Sequence, residues 1–125
     1  YGTLRMNAAH PMAEKIAKNA ILVGLGYIKK AKLFQIDWYP ALIESTDEND
    51  LVIGDVYRLN NHDFLAELDE YENIGIGTPP FEYRREKKKV FFEEENETVD
   101  CWIYFYNWPI PERASLIESG DFLNP

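Results

Sequence analysis

Leu51-Val52-Ile53-Gly54-Asp55-Val56-Tyr57-Arg58-Leu59 is the run from which the rest of the chain is most readily ordered. Val52, Gly54, Val56 and Arg58 alternate with Leu51, Ile53, Asp55, Tyr57 and Leu59, so the run reads as a strand with two distinct faces. Asn60 and Asn61 punctuate its end, and either can cap a helix that begins near His62. With that helix over His62 to Glu72, Leu65, Leu68 and Glu72 fall at i, i+3 and i+7. Glu72 then continues the apolar stripe, while Asp63, Glu67 and Glu70 largely face solvent. A carboxyl held inward at a helix C-terminus has its ionised form disfavoured by burial and by the helix dipole, which tunes it for proton transfer near neutral pH. The alternative is a helix ending at Tyr71, with Glu72 exposed at the start of the loop.

Working outward, residues 11–20 (PMAEKIAKNA) read as a short helix with Pro11 in its first turn and Met12, Ile16 and Ala20 spaced by four. Ala20 to Tyr27 reads as a strand interrupted by Gly24 and Gly26, Ile28 to Phe34 as an imperfectly alternating run, and Trp38 to Ile43 as a strand with Pro40 near an edge. Ser45 to Asp50 is a turn. Beyond the helix, 73–80 (NIGIGTPP) is a Gly- and Pro-rich loop able to close over a site. Tyr83 to Phe92 and Thr98 to Asn107 form a long hairpin around Glu93 to Glu97. Residues 114–120 are a short helical turn or an extended end, stopped at Gly120. About six strands, two short helices and no regular βαβ alternation predict an α+β fold, a small mixed β-barrel with a few short flanking helices.

Composition sets bounds on this plan. The 125 residues, 46% of them hydrophobic, suffice for one sizeable core and one domain spanning residues 1–125. Thirteen basic against 22 acidic residues leave a formal charge of −9, which repels nucleic-acid backbones and anionic membranes. The single cysteine, Cys101, excludes an internal disulfide and suits a reducing cytoplasm. No apolar stretch approaches the ~20 residues that span a bilayer. A chain opening directly on Tyr1-Gly2-Thr3-Leu4 is expected to have lost the strand that leads into that turn. Gly2 lets consecutive N–H groups converge on an anion and Thr3 adds a hydroxyl, although a Tyr-Gly pair is also an ordinary turn.

In order along the chain, Tyr1-Gly2-Thr3-Leu4, Tyr39-Pro40-Ala41, Gly54-Asp55-Val56-Tyr57, Leu68-Asp69-Glu70-Tyr71-Glu72, Tyr83-Arg84-Arg85 and the late aromatic strand ending at Tyr106 resemble the gamma-glutamylcyclotransferase-like family. The tail from Leu116 to Leu123 is similar to that of small bacterial members. The resemblance extends over essentially the whole chain. It implies a small mixed barrel, substrate binding by the backbone of Tyr1 to Leu4, and Glu72 as the catalytic acid/base. Asn73 stands where the family often has Gly, and Asn also tolerates the left-handed conformation. The implied reaction converts a small-molecule gamma-glutamyl amine or dipeptide to 5-oxoproline and a free amine, with no metal or cofactor. The alternative is a non-catalytic module that binds a small metabolite on the same fold.

Other residues read more plainly. His10 and His62 have no metal-ligand spacing, and Ser45, Ser115 and Ser119 lack a nucleophile-elbow context. Lys87 to Lys89 and Glu93 to Glu97 are expected to pair across the hairpin. Arg85, sharing a face with Tyr83, either lines the pocket or pairs with a carboxylate, the structural role being favoured. Trp102, Tyr104 and Tyr106 on one face and Ile103 and Phe105 on the other predict a strand buried on both sides, with the Tyr106 hydroxyl a candidate ligand donor.

Overall fold

The structure, a computed structural model, describes residues 1–2, 11–37, 39–72, 79–94 and 97–125. Thr3, Leu4, Arg5, His10, Trp38, the 73–78 part of the loop and residues 95–96 lie outside the described residues. In chain order the elements are α1 (Pro11–Asn19), β1 (Ala20–Lys29), β2 (Ala31–Ile36), β3 (Tyr39–Glu44), β4 (Leu51–Leu59), α2 (Phe64–Tyr71), β5 (Tyr83–Phe92), β6 (Thr98–Tyr106) and β7 (Ser115–Leu116). Among the described residues the strands form two sheets, in the orders β4-β1-β5-β6 and β3-β2-β7. The α+β class holds.

β4 has the bounds its alternation predicts and lies antiparallel to β1 from Ala20↔Leu59 to Lys29↔Leu51, with an irregularity between Leu22 and Gly24. The Ile28–Phe34 run is not one strand. Lys30 takes a left-handed conformation (φ 58°) and bends the chain from β1 of one sheet into β2 of the other, its carbonyl accepting the Ser45 N–H at 2.7 Å. Alternating hydrophobicity passes through such a bend unmarked when no Gly or Asn stands at it. Pro40 sits on β3, an edge strand, where its missing N–H costs no ladder bond. β5 and β6 form the expected hairpin, paired from Tyr83↔Tyr106 to Phe91↔Thr98. The expected pairing of Lys88 with the hairpin acids gives way to Glu44 of β3 at 2.7 Å and Glu86 at 3.7 Å, because side chains on that face point toward the second sheet.

Two contiguous apolar clusters hold the sheets and helices together. Ile16 of α1, Ile36, Ala41, Phe64 and Leu68 of α2, and Tyr83, Tyr104 and Tyr106 make one. Ile28, Leu33, Leu42, Val52, Val90, Phe105 and Ile117 make the other. β6 is buried on both faces only from Tyr104 to Tyr106; Trp102 is 50% exposed, with the Arg85 guanidinium 4.9 Å and the Lys87 ammonium 5.1 Å from its ring centroid. The tail is extended at β7 and turns at Gly120, as one of the two sequence readings has it.

Candidate active site

A cavity of about 730 Å³ opens beside the C-terminus of α2, and Tyr1, Gly2, Glu72, Glu82, Tyr83 and Tyr104 are among the residues that line it. Three distant segments build the Tyr1 corner. A Cβ on Gly2 would overlap the Pro40 ring, whose Cδ would lie 3.0 Å away, and a Cβ on Gly54 would meet the Tyr1 Cα at 3.3 Å. The two glycines thus let the opening residues seat between β3 and β4, which ties the Tyr-Gly, Tyr-Pro-Ala and Gly-Asp-Val-Tyr segments into one physical unit. The Tyr1 hydroxyl donates to the Tyr104 carbonyl at 2.7 Å, anchoring that corner to β6.

The C-terminus of α2 is fixed independently. Asp69 accepts from Arg85 Nη1 at 2.9 and 2.8 Å through its two carboxylate oxygens and from the Tyr104 hydroxyl at 2.6 Å. Arg85 is therefore a structural partner, as favoured from the sequence. Asp69 and Glu72 are three residues apart and share a helix face, so clamping the first aims the second. The helix does end at Tyr71, with Glu72 at its C-cap (φ −85°, ψ 11°) and the Glu72 N–H donating to Leu68 O at 3.0 Å. Glu72 nevertheless lines the cavity and is only partly exposed. The two sequence readings are thus each half realised: the shorter helix and the inward carboxyl coexist, since the cap still carries near-helical backbone.

Burial raises the Glu72 carboxyl to about 7, and the nearby Glu82 and Asp69 carboxylates add to this. Around it, burial first and the Glu72 charge second push the phenols of Tyr1 and Tyr83 far up. Tyr104 is raised by burial and by its hydrogen bond to Asp69. These hydroxyls stay protonated and are engaged as donors, Tyr83 to the Pro40 carbonyl at 2.6 Å. Glu82, which the sequence reading passed over, lines the cavity and accepts from the Tyr39 hydroxyl at 3.1 Å. Its only sequence signal is its position immediately before Tyr83.

Of the sequence-predicted site residues, Tyr1, Gly2 and Glu72 come together at this cavity, and Thr3 and Leu4 lie outside the described residues. Tyr106 is buried in the core cluster, edge-on to Tyr83 with ring centroids 5.4 Å apart, and does not line the cavity. Among the described residues, no group of three or more His, Cys, Asp or Glu side chains is arranged to hold a metal ion, and no helix is long and apolar enough to cross a membrane.

Residues 1–124 match the family model described as gamma-glutamyl cyclotransferase, AIG2-like, and the chain belongs to that family. Among solved structures it is similar to protein ytfP from Escherichia coli, determined by NMR in solution, at 29% identity over 96% of this chain and 88% of that one, with a TM-score of 0.65. It shares its fold with the uncharacterized protein PH0828 from Pyrococcus horikoshii, a crystal structure, at 22% identity over 98% and 85% of the two chains and a TM-score of 0.60. No curated protein matches.

Proposed function

We propose that the protein cyclises a gamma-glutamyl amine or dipeptide to 5-oxoproline, releasing the amine, with Glu72 as general acid and base. The observation that carries this reading is Glu72 itself: a carboxyl raised to about 7, lining one cavity with Tyr1 and Gly2. A group of that pKa exchanges protons in both directions at neutral pH.

The substrate's own α-amino nitrogen is the nucleophile. Ionised Glu72 takes a proton from the ammonium, and the freed nitrogen attacks the γ-carbonyl carbon to close a five-membered ring. The tetrahedral intermediate then collapses as the carbon–nitrogen bond to the leaving amine breaks: Glu72 returns its proton to that nitrogen, and the second proton on the ring nitrogen is lost to the departing amine, which leaves as an ammonium while the lactam keeps one N–H. No water is consumed. Holding the glutamyl chain curled makes the attack intramolecular, where effective molarities of ~10⁵–10⁸ M are attainable. The backbone of Tyr1 to Leu4 binds the glutamyl end and supplies N–H donors toward the developing oxyanion. The protonated phenols of Tyr1 and Tyr83, committed to backbone carbonyls, keep the pocket's shape and leave the proton traffic to Glu72.

The test is 5-oxoproline release from a panel of gamma-glutamyl amino acids and amines, comparing the wild type with Glu72→Gln. The expected outcome is release by the wild type and a loss of about 10²- to 10⁴-fold in the variant, which still binds substrate. Binding without release by either protein would overturn the catalytic reading in favour of a metabolite-binding module.

A further inference from the structure

We infer that the cavity has a second, apolar compartment that selects gamma-glutamyl compounds whose leaving amine carries a bulky hydrophobic or aromatic group. This inference rests on the proposed cyclotransferase reading and names its substrate class.

Val99, Cys101 and Ile103 alternate along β6 and therefore share one face; all three line the cavity that holds Glu72. Val56 of β4 and Phe92 of β5 line it as well. Val56, Cys101 and Ile103 pack around the same apolar cluster as Tyr1, so this wall is continuous with the Tyr1 corner. None of the five is fully buried, and Val99 is 38% exposed. Apolar side chains from three strands thus line the same cavity as the candidate acid/base.

The geometry of the sheet creates that space. β1 follows β4 along its whole length, but meets β5 only at Gly26↔Phe92 and Tyr27↔Phe91. The β1–β4 pair and the β5–β6 hairpin are joined at this short seam, and Val56 and the β6 stripe line the one cavity from opposite pairs. Besides Glu72, the charged residues that line it are Asp55, Glu82, Glu97 and Asp100 with Arg58, and of these Arg58, Glu97 and Asp100 are exposed. A volume of about 730 Å³ exceeds the needs of a glutamyl unit alone and lies within the range of small-molecule sites. With the glutamyl end at Tyr1 and Gly2, the departing side of the scissile amide has this apolar wall to occupy.

The experiment uses gamma-glutamylglycine and gamma-glutamylphenylalanine, measuring 5-oxoproline release by the wild type and binding by calorimetry to Glu72→Gln. The phenylalanine compound is expected to be favoured roughly 10- to 100-fold in kcat/KM and in Kd, the worth of burying one aromatic side chain. Val99→Asp, a change at an exposed position, should reduce that ratio at least several-fold, while Val99→Leu preserves it. Equal use of the two compounds, or a ratio unmoved by Val99→Asp, would sink the apolar compartment and leave the cyclotransferase reading standing. Tighter binding of the phenylalanine compound without any release would uphold the compartment and overturn the catalytic reading. Neither binding nor release of either compound would overturn both.

Discussion

Replacing Glu72 by glutamine removes a carboxyl that the fold holds far from its ordinary value, and the consequence for stability has a definite sign. A carboxyl raised in the folded state to about 7 binds its proton more tightly there than in the unfolded chain. Between its unfolded pKa near 4.5 and about 7, folding stability therefore falls as pH rises, and above 7 the full loss persists. Glu72→Gln should be more thermostable than the wild type at pH 8, by on the order of 2 kcal/mol, with the difference vanishing at pH 4; melting curves at the two pH values check it. A wild type as stable at pH 8 as the variant would show that the carboxyl is solvated. If Glu72 is the base, kcat/KM should also rise with pH along a limb centred near 7. The i, i+3, i+7 count offered an inward direction for this residue but did not decide it against exposure beyond the helix end. Whether a cap residue meets water or a cavity depends on what stands opposite, here Tyr1 and Tyr83 from remote segments.

At the scale of elements, α2 is a helix of eight residues whose Asp63 N-cap makes no side-chain bond; the Asn61 side chain instead accepts the Asp63 N–H at 2.9 Å. So short a helix is marginal by itself and takes its stability from tertiary contacts. Phe64 and Leu68 supply the apolar contacts, and Asp69 adds the polar tie to β5 and β6. Asp69→Ala leaves Arg85 and Tyr104 without their acceptor and should cost about 2–3 kcal/mol in urea denaturation. In the same variant kcat should fall more than KM rises, because the change acts through the aim of Glu72; unchanged kcat in a folded Asp69→Ala protein would argue against the clamp. Strand bounds for β4 and β5 were readable because turn-forming or acidic residues follow each, Asn60-Asn61 after β4 and the run from Glu93 after β5. The β1–β2 bend was not, since a lysine at φ 58° has the same side chain as a lysine in a strand. The exposure of Trp102 was equally hidden: it stands in an apolar, aromatic run that leads into the buried residues Tyr104 to Tyr106.

On the scale of the whole molecule, the tail fastens one sheet to the other. β7 pairs with β2, Ile117 N–H donates to the Leu33 carbonyl at 2.8 Å, and Ile117 is buried in the second cluster. Three residues later the Gly120 carbonyl accepts the Ile53 N–H of β4 at 2.8 Å. Gly120 makes the turn at φ 70°, and a Cβ there would overlap the Leu51 carbonyl oxygen. Gly120→Ala should therefore destabilise the protein by at least about 2 kcal/mol, combining left-handed strain with backbone overlap; a thermal midpoint unchanged from wild type would exclude the clasp. The sequence by itself determined the α+β class, most strand bounds and the ordered set of motifs shared with the family, because these follow from local periodicity and residue type. Tertiary structure alone decided that Gly2 seats on Pro40, that Gly54 lies under Tyr1, that Asp69 is clamped by Arg85 and Tyr104, and that the sheets part to leave a cavity at Glu72. The physical reason is that burial, desolvation and close approach are properties of pairs of segments, and no local pattern records which segment will arrive opposite.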